Sequence, residues 1–493
     1  MTAPVRGRRA ELALWALAFA VMAMGLRFFH IHTAYDIHID EITYLRIAEN
    51  ISSNLRPELY GQAFFLHPPL FFYIEAGWLH LFPPTGNIVQ DILAVRSLNV
   101  IFAGGTAALL FLTGWRIAGT TAGAVAAAAF VLDPFMVKIT SWNLLEASTV
   151  FWVLVGMAVI VLTAGPEGHL SRRAAILAGI AFGAGLLTKE ESAFISLVPC
   201  LAWIAIGCRG RRRLLLTLGA AVLMYSIYPL VTALNGGLDG YLQAKLRGVA
   251  RLAGFIQESG FHQSGTQSFL GAVLDRARVF GATYLIIGLG VLATVFLWRQ
   301  GGRENRLVAA WMASATLLLS YALLHGTLEE QMFYLLVVPA SLSIGVAVPQ
   351  LLRHWSTRRR RGAVRGVLAA GGLAFVAVSA VVWCQTHLAP DNGYEAMVAW
   401  TDAHLPRGTP VSVAPEPPAF LLSRLDTGKW LTPSDLAQHH AHYVITSTTE
   451  VKAGYVAGGT QFLLWLQGHA QVVFSFYGRV HGTLVIYKVD GFQ

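Results

Sequence analysis

The sequence predicts a mainly α-helical protein that crosses a membrane many times and ends in a small α/β domain. Of its 493 residues, 55% are hydrophobic and 13% are charged, and the mean hydropathy is +0.55. Soluble domains do not show this balance. Runs of about 20 apolar residues recur along the chain, the length that a hydrocarbon core of roughly 30 Å requires of a helix. The texture changes after residue 386, where charges, prolines and short β-rich runs appear.

About eleven transmembrane helices are predicted before residue 387. The first follows Arg6, Arg8 and Arg9, as a signal peptide would, but the small-residue cleavage site of a signal peptide does not follow it, so we expect a retained helix. The predicted spans are residues 11–31, 92–114, 118–137, 147–164, 173–188, 192–208, 214–234, 280–299, 307–325, 332–351 and 364–386.

The net charge of +9 reflects membrane topology rather than nucleic-acid binding, because the arginines cluster in short segments between spans. Alternate threading places these clusters on one side, which the positive-inside rule assigns to the cytoplasm. We therefore predict a cell-membrane protein with a cytoplasmic amino terminus. The loops 32–91 and 235–279 and the tail would be extracytoplasmic.

Two domains are predicted. Residues 1–386 form the membrane domain, and residues 387–493 form an extracytoplasmic α/β domain, hereafter the tail. The runs "VSVA", "HYVITS" and "GTLVIYKVD" are predicted strands of the tail, and helical stretches lie between them.

The first external loop, 32–91, is predicted to contain two helices that lie along the membrane interface, one starting at Asp40 and the other at Pro68. An apolar stripe runs from Ile42 to Ile51 on the first helix. Asp40 would be its N-cap, with Glu41 next to the positive end of the helix dipole.

Four short motifs occur at predicted outer helix ends: "HIDEITYLRIA", "FFLHPPLFF", "WNLLEAS" and "GLLTKEESAFISLVP". Together they resemble the polyprenyl-phosphate-sugar-dependent glycosyltransferases of the GT-C fold, in the branch of the protein O-mannosyltransferases and lipid A aminoarabinose transferases. The resemblance covers residues 11–351 and implies transfer of one sugar, with inversion, from a polyprenyl phosphate to an acceptor hydroxyl on the outer face. The acceptor, which could be a glycan, a lipid or a protein, and the sugar stay open.

In this resemblance Asp40 matches the general base, with Glu41 beside it. A lipid phosphate leaves as a stable anion, so the reaction needs one base and a cation rather than a pair of carboxylates. Lys189 matches the family's lysine, and its alternative role is that of an interfacial lysine whose ammonium reaches water.

The chain also departs from the family pattern. Ile42 and Thr43 follow the acidic pair where relatives have "DETRY", so the first arginine is Arg46, and His67 stands where relatives have lysine. Four residues are candidates to bind the donor phosphate: Lys189, Arg46, His67 and Arg251.

The candidates for sugar or acceptor binding are Tyr44, Glu146, Glu190, His325, Gln331 and Tyr334. All but Tyr44 have an ordinary alternative. Glu146 is also a first-turn helix charge, at least one of Glu190 and Glu191 also balances Lys189, and His325, Gln331 and Tyr334 also suit interfacial packing.

The run "HIHTAYDIHIDE" raises the hypothesis of a divalent metal ion held by His38, Asp40, Glu41 and His67. The alternative is a set of interfacial histidines, and a metal-binding spacing such as HExxH does not occur there. We predict no certain cofactor.

A multi-pass transporter or flippase is the main alternative function. Transporters bury ionisable groups near the bilayer midplane, whereas here the acidic residues lie at outer helix ends. A membrane scaffold would leave the four motifs unexplained.

Overall fold

A computed structural model describes residues 3–165, 169–206, 210–256, 268–355, 358–452 and 459–490. The fold is mainly α-helical, as predicted. Up to residue 387 its helices are α1 (Ala3–Phe28), α2 (Ile39–Asn54), α3 (Leu70–Leu81), α4 (Ile88–Ala118), α5 (Thr120–Val131), α6 (Pro134–Ser141), α7 (Leu145–Thr163), α8 (Arg172–Thr188), α9 (Ser192–Ala205), α10 (Arg211–Leu234), α11 (Leu238–Leu252), α12 (Phe269–Gln300), α13 (Arg303–Leu324), α14 (Tyr334–His354) and α15 (Arg358–His387), with a 3₁₀ turn at Glu330–Phe333 before α14.

Eight of the described helices are long and apolar enough to cross a membrane: α1, α4, α7, α10, α12, α13, α14 and α15. The protein is therefore a multi-span membrane protein. The predicted number of eleven is not confirmed. The predicted span 118–137 is a bent pair, α5 and α6, with an angle of 63° at the break. The helices α8 and α9 have 17 and 14 residues, so at 1.5 Å per residue they rise only about 26 and 21 Å, less than a hydrocarbon core.

Both helices predicted in the segment 32–91 are present, as α2 and α3, with a small hairpin of β1 (Glu58–Leu59) and β2 (Gln62–Ala63) between them. The predicted apolar stripe of α2 is buried: Ile42 and Ile51, at its two ends, are 1% and 2% exposed. The irregular residues 31–37, which join α1 to α2 and are hereafter the approach segment, lead directly into this helix.

The tail contains a five-stranded sheet in the order β4 (Asp426–Gly428), β3 (Pro410–Val413), β5 (Tyr443–Ser447), β7 (Gly482–Val489) and β6 (Ala470–Gly478). The strand β3 runs parallel to β4 and β5, whereas β7 is antiparallel to β5 and β6. The three predicted strands correspond to β3, β5 and β7. The helices of the tail among the described residues are α16 (Gly393–His404), α17 (Glu416–Leu421), α18 (Pro433–Gln438), α19 (Thr448–Lys452) and α20 (Gly459–His469).

One hydrophobic core joins the tail to the membrane helices. Tyr394, Val411 and Ile445 of the tail are buried in the same cluster as Ile42 of α2 and Phe111 of α4. Because burial of apolar surface stabilises both sides of such a contact, the tail packs against the start of α2 as part of the folded unit.

Candidate active site

The start of α2 differs from the sequence prediction, because the N-cap is His38 and not Asp40. His38 Nδ1 accepts a hydrogen bond from the Asp40 backbone N–H at 3.3 Å, and the His38 backbone N–H donates to Glu41 Oε2 at 2.9 Å. This reciprocal arrangement is a capping box in which histidine takes the place of the usual serine or threonine. The Asp40 carboxylate is consequently not needed to cap the helix.

Glu41 is fully buried and paired with Arg96 of α4. Arg96 Nε and Nη2 donate to the two Glu41 carboxylate oxygens, both at 2.8 Å. The Asn143 backbone N–H donates to Glu41 Oε1 at 2.8 Å. A carboxylate with this many donors holds structure together, and it is poorly placed to accept a further proton from a substrate.

Asp40 has different surroundings. Its side chain is 32% exposed, and the His38 ring nitrogen lies 3.8 Å from Asp40 Oδ2. Burial raises the pKa of Asp40, and His38 acts against this shift. The negative charges of Glu146 and Glu329 raise it further. Asp40 is thus a reachable carboxylate with an increased affinity for protons.

Lys189 lies in the turn directly after α8 and is 5% exposed. Its ammonium donates to Glu146 Oε1 at 2.8 Å, and Glu191 Oε2 lies 3.8 Å away. Burial acts to lower the pKa of Lys189, but Glu146 and Glu191 outweigh it, so the pKa lies well above its ordinary value. Lys189 is therefore a permanent cation, and its charge acts on Asp40.

Tyr44, His67 and Tyr334 line the same region. Tyr44 is buried, and its ring centroid lies 6.2 Å from that of His67. Lys189 Nζ lies 5.4 Å from the centre of the Tyr334 ring, which favours the cation. Burial lowers the pKa of His67 well below its usual range, and Lys189 adds to this shift. At neutral pH the His67 ring is therefore uncharged, so it can bind a phosphate by donating a hydrogen bond but not as a cation.

Arg251 and Gln331 converge on Glu329, just before α14. Arg251 Nη2 donates to Glu329 Oε1 at 3.1 Å, and Gln331 Nε2 donates to Glu329 Oε2 at 2.8 Å. The charge of Arg251 reaches His67, and that of Glu329 reaches Asp40. These contacts bring the end of α11 to the site.

Glu190 does not face Lys189 but pairs with Lys245 of α11, at 2.6 Å. Its Oε1 also accepts from the Tyr225 hydroxyl at 2.9 Å. The Lys245 ammonium lies 5.6 Å from the centres of the Tyr228 and Tyr241 rings. Of the two acidic residues after Lys189, Glu191 balances it and Glu190 anchors α11.

Two predicted site residues have their described partners elsewhere. Arg46 pairs with Glu49 of its own helix at 2.9 Å. His325, at the end of α13, is exposed and has a ring contact with Tyr321. For the metal hypothesis, His38 and Asp40 are adjacent, but the described residues contain no group of three or more His, Cys, Asp or Glu side chains suited to a metal ion.

Sequence reasoning missed Arg96, Lys245 and Glu329. The position of Arg96 carried a signal, since an arginine within a predicted span is unusual and points to a specific partner. Lys245 lies in the predicted loop 235–279 and Glu329 just before the predicted span 332–351, and neither position by itself indicates a partner. Their partners are distant in sequence, and a single sequence does not reveal such pairs.

Comparison with known proteins supports the family resemblance. A family model described as dolichyl-phosphate-mannose-protein mannosyltransferase matches residues 66–234. No curated protein matches the chain by sequence. Among solved structures, the archaeal oligosaccharyltransferase AglB from Archaeoglobus fulgidus, in complex with an inhibitory peptide and a dolichol-phosphate, is 12% identical, with a TM-score of 0.60 over 97% of this chain and 74% of that chain.

ArnT from Cupriavidus metallidurans is similar along its whole length. Its apo structure and its structure bound to undecaprenyl phosphate are 14% and 15% identical to this chain, and each has a TM-score of 0.59 over 97% of this chain and 98% of ArnT. The chain therefore has the GT-C glycosyltransferase fold.

Proposed function

We propose that this protein is a membrane glycosyltransferase that moves a single sugar from a polyprenyl phosphate to an acceptor hydroxyl on the extracytoplasmic face, with inversion and with Asp40 as general base. The observation that carries the proposal is an accessible carboxylate, Asp40, within electrostatic reach of a buried cation, Lys189. Asp40 stays 32% exposed, whereas Lys189 is 5% exposed and close enough to act on the charge of Asp40.

The chemistry needs both groups. The acceptor oxygen forms a bond to the anomeric carbon while its proton passes to Asp40. The bond between that carbon and the phosphate oxygen breaks, and the phosphate keeps the electron pair. Attack from the face opposite the leaving group inverts the anomeric centre. The raised pKa of Asp40 makes it a stronger base than an ordinary aspartate.

Lys189 is suited to stabilise the departing phosphate. Among the described residues, its ammonium makes one hydrogen bond, to Glu146, so it has further N–H groups to donate to a phosphate oxygen. Glu146 and Glu191 keep the lysine charged in a region of low hydration. A fixed cation acts most strongly where water is scarce. His67 and Arg251 lie within electrostatic reach of this region and would add hydrogen bonds to the phosphate.

A polyprenyl phosphate donor is supported by the similar structures, whose bound ligands include a dolichol-phosphate in AglB and undecaprenyl phosphate in ArnT. Glu146, Tyr44 and Tyr334 would contact the sugar or the acceptor. The transporter alternative is not favoured, because neither AglB nor ArnT, the two similar structures named above, is a carrier.

The direct test is incubation of the purified protein with a panel of radiolabelled polyprenyl-phosphate sugars and an extract of cell-envelope glycans, lipids and proteins as acceptors, scoring which donor is consumed. We expect loss of label from one donor class and release of polyprenyl phosphate. NMR of the product should show the anomeric configuration opposite to that of the donor. Consumption of none of them, with the protein folded, would contradict the proposal.

Orientation has its own test. A cysteine placed at the exposed position Asp426 in the tail should react with an impermeant reagent added outside intact cells, and one placed at Arg212 should not. Labelling at Arg212 alone would reverse the proposed topology.

A further inference from the structure

The approach segment forms no regular secondary structure, so its backbone groups need partners from elsewhere. The membrane helices supply some of them. Arg96 Nη1 donates to the carbonyls of Ile31 and Tyr35, both at 2.9 Å. The Asp36 carbonyl accepts from Arg96 Nη2 at 3.1 Å and from Trp142 Nε1 at 2.8 Å.

The tail supplies partners for three other carbonyls of the segment, those of Thr33, Ala34 and Ile37. The Asp391 backbone N–H donates to the Thr33 carbonyl at 2.7 Å, and Arg479 Nη2 donates to the Ala34 carbonyl at 3.1 Å. His481 Nε2 lies 3.1 Å from the Ile37 carbonyl, a distance at which the protonated nitrogen donates. Along the approach segment, carbonyls that accept hydrogen bonds from the membrane domain therefore alternate with carbonyls that accept them from the tail.

The side chain of Asp36 adds a further bond to the tail. It is 4% exposed, and its Oδ2 accepts from the Tyr394 backbone N–H at 3.1 Å. A Cβ on Gly393 would lie 3.1 Å from the same oxygen, so the start of α16 approaches this carboxylate closely. The ring of His481 packs on that of Tyr394, with centroids 4.4 Å apart.

These contacts end immediately before the residues that hold Asp40. Ile37 precedes His38, whose side chain caps α2 and lies 3.8 Å from Asp40. The His38 ring also packs against Trp142, with centroids 5.0 Å apart, and Trp142 is itself bonded to Asp36. A shift of the approach segment would therefore move the His38 ring and the first turn of α2.

We propose that the tail positions the catalytic carboxylate, with Asp36 and His481 as positioning residues that act on Asp40 through the approach segment and His38. The inference rests on the proposed function, since it assigns these residues to the same transfer reaction. It gives the tail a role in catalysis that does not require the tail to contact either substrate.

The effect on rate follows from geometry. A displacement of about 1 Å of a reacting group can reduce a rate about 100-fold. Loss of a bond held by His481 or Asp36 should therefore reduce kcat by about 10- to 100-fold. Donor KM should change little, because Lys189 and His67 make no described contact with the approach segment.

The experiment compares His481→Leu with His481→Gln. Leucine removes the donor to the Ile37 carbonyl, whereas the glutamine amide restores one. His404→Leu is the matched control, because His404 is an exposed tail histidine that bonds a carbonyl of its own helix. Rates are expressed per folded molecule, and kcat, donor KM and the pH dependence of transfer are measured for each variant.

We expect His481→Leu to lose kcat at nearly constant donor KM, His481→Gln to recover most of it, and His404→Leu to match the wild type. Release of the segment should also hydrate Asp40, lower its pKa and move the acid limb of the rate profile to lower pH. A purely structural role would reduce the folded fraction without moving that limb. Normal kcat per folded molecule in His481→Leu would overturn the inference.

Asp36→Leu provides a second variant if His481→Leu folds poorly. Both Asp36 carboxylate oxygens lie within hydrogen-bond distance of the Tyr394 backbone N–H, at 3.3 and 3.1 Å, and asparagine would keep one such acceptor. Leucine removes both, so the same loss of kcat is expected, and full activity per folded molecule would overturn the role of Asp36. Failure of the proposed function would look different, since Asp40→Asn would then keep its activity. If Asp40→Asn is inactive while Asp36→Leu and His481→Leu are both fully active, the positioning role alone is rejected.

Discussion

Two buried ion pairs, Glu41 with Arg96 and Glu146 with Lys189, lie at the same end of the protein but differ in how completely they are bonded. Arg96 makes five hydrogen bonds, one for each of its N–H groups. Lys189 makes one hydrogen bond among the described residues, and Glu146 Oε2 has no partner among them.

This difference indicates that the Glu41–Arg96 pair is structural, whereas the Glu146–Lys189 pair is suited to binding a ligand. A pair with all its bonds made can gain little from a substrate, and removing one partner leaves a buried charge uncompensated. A pair with unused donors can gain from a phosphate that supplies the acceptors. The same contrast separates neighbouring carboxylates, since Glu41 is saturated and Asp40 is accessible.

The largest effect is expected at Asp40. Asp40→Asn should reduce the transfer rate by roughly 100- to 10,000-fold, because loss of a general base has that cost. His38, not Asp40, caps α2, so the melting temperature should be unchanged. Asp426→Asn, at an exposed tail position, is the control and should be fully active.

Lys189 should come next. Lys189→Gln keeps a donor for Glu146 but removes the charge, so we expect a loss of about 2 to 4 kcal/mol of transition-state stabilisation, about 30- to 1,000-fold in rate. Lys429→Gln removes an exposed lysine that pairs with Glu416 and serves as the control. Unchanged turnover in Lys189→Gln would assign the lysine to structure alone.

Glu41→Gln should reduce stability more than it reduces catalysis per folded molecule. It leaves the Arg96 charge buried without a carboxylate, which costs about 3 to 5 kcal/mol of unfolding free energy. Glu49→Gln breaks the partly exposed pair of Arg46 and Glu49, whose side chains are 39% and 25% exposed, and should cost about 0.3 to 0.5 kcal/mol. Thermal unfolding in detergent measures both. Equal melting temperatures of Glu41→Gln and Glu49→Gln would contradict a larger structural role for the Glu41–Arg96 pair than for the Arg46–Glu49 pair.

The smallest predicted effect is a shift in pH dependence. Transfer needs deprotonated Asp40, so the rate should fall as the pH falls through its raised pKa, above the ordinary value of about 3.9. Glu329 contributes to that rise. Glu329→Gln should therefore move the acid limb to lower pH, and a shift to higher pH would contradict the assignment.

Much of the fold could be predicted from the sequence, because apolar runs and periodicity are local signals. The stripe from Ile42 to Ile51, the helix after Pro68 and three of the tail strands were predicted in this way. The predicted number of eleven spans is not confirmed, and one predicted span, 118–137, is a bent pair of helices that breaks where Asp133 caps α6.

The site was harder to predict, because its geometry depends on distant pairs. The motifs placed Asp40, Glu146 and Lys189 at one end of the bundle, and the structure brings them within electrostatic reach of one another. The sequence could not show that Glu41 meets an arginine 55 positions away or that His38 caps α2. Both facts follow from tertiary packing.

The central claim is that Asp40 takes the acceptor's proton while the rest of the site binds the donor. It is tested most directly by a single-turnover experiment in which the wild type and Asp40→Asn are each loaded with the radiolabelled polyprenyl-phosphate sugar that the wild type consumes. Bound donor and transferred sugar are counted in the same sample after addition of acceptor. The account predicts equal donor binding, with sugar transferred by the wild type and retained on the lipid in Asp40→Asn. Transfer at the wild-type rate by Asp40→Asn would contradict it.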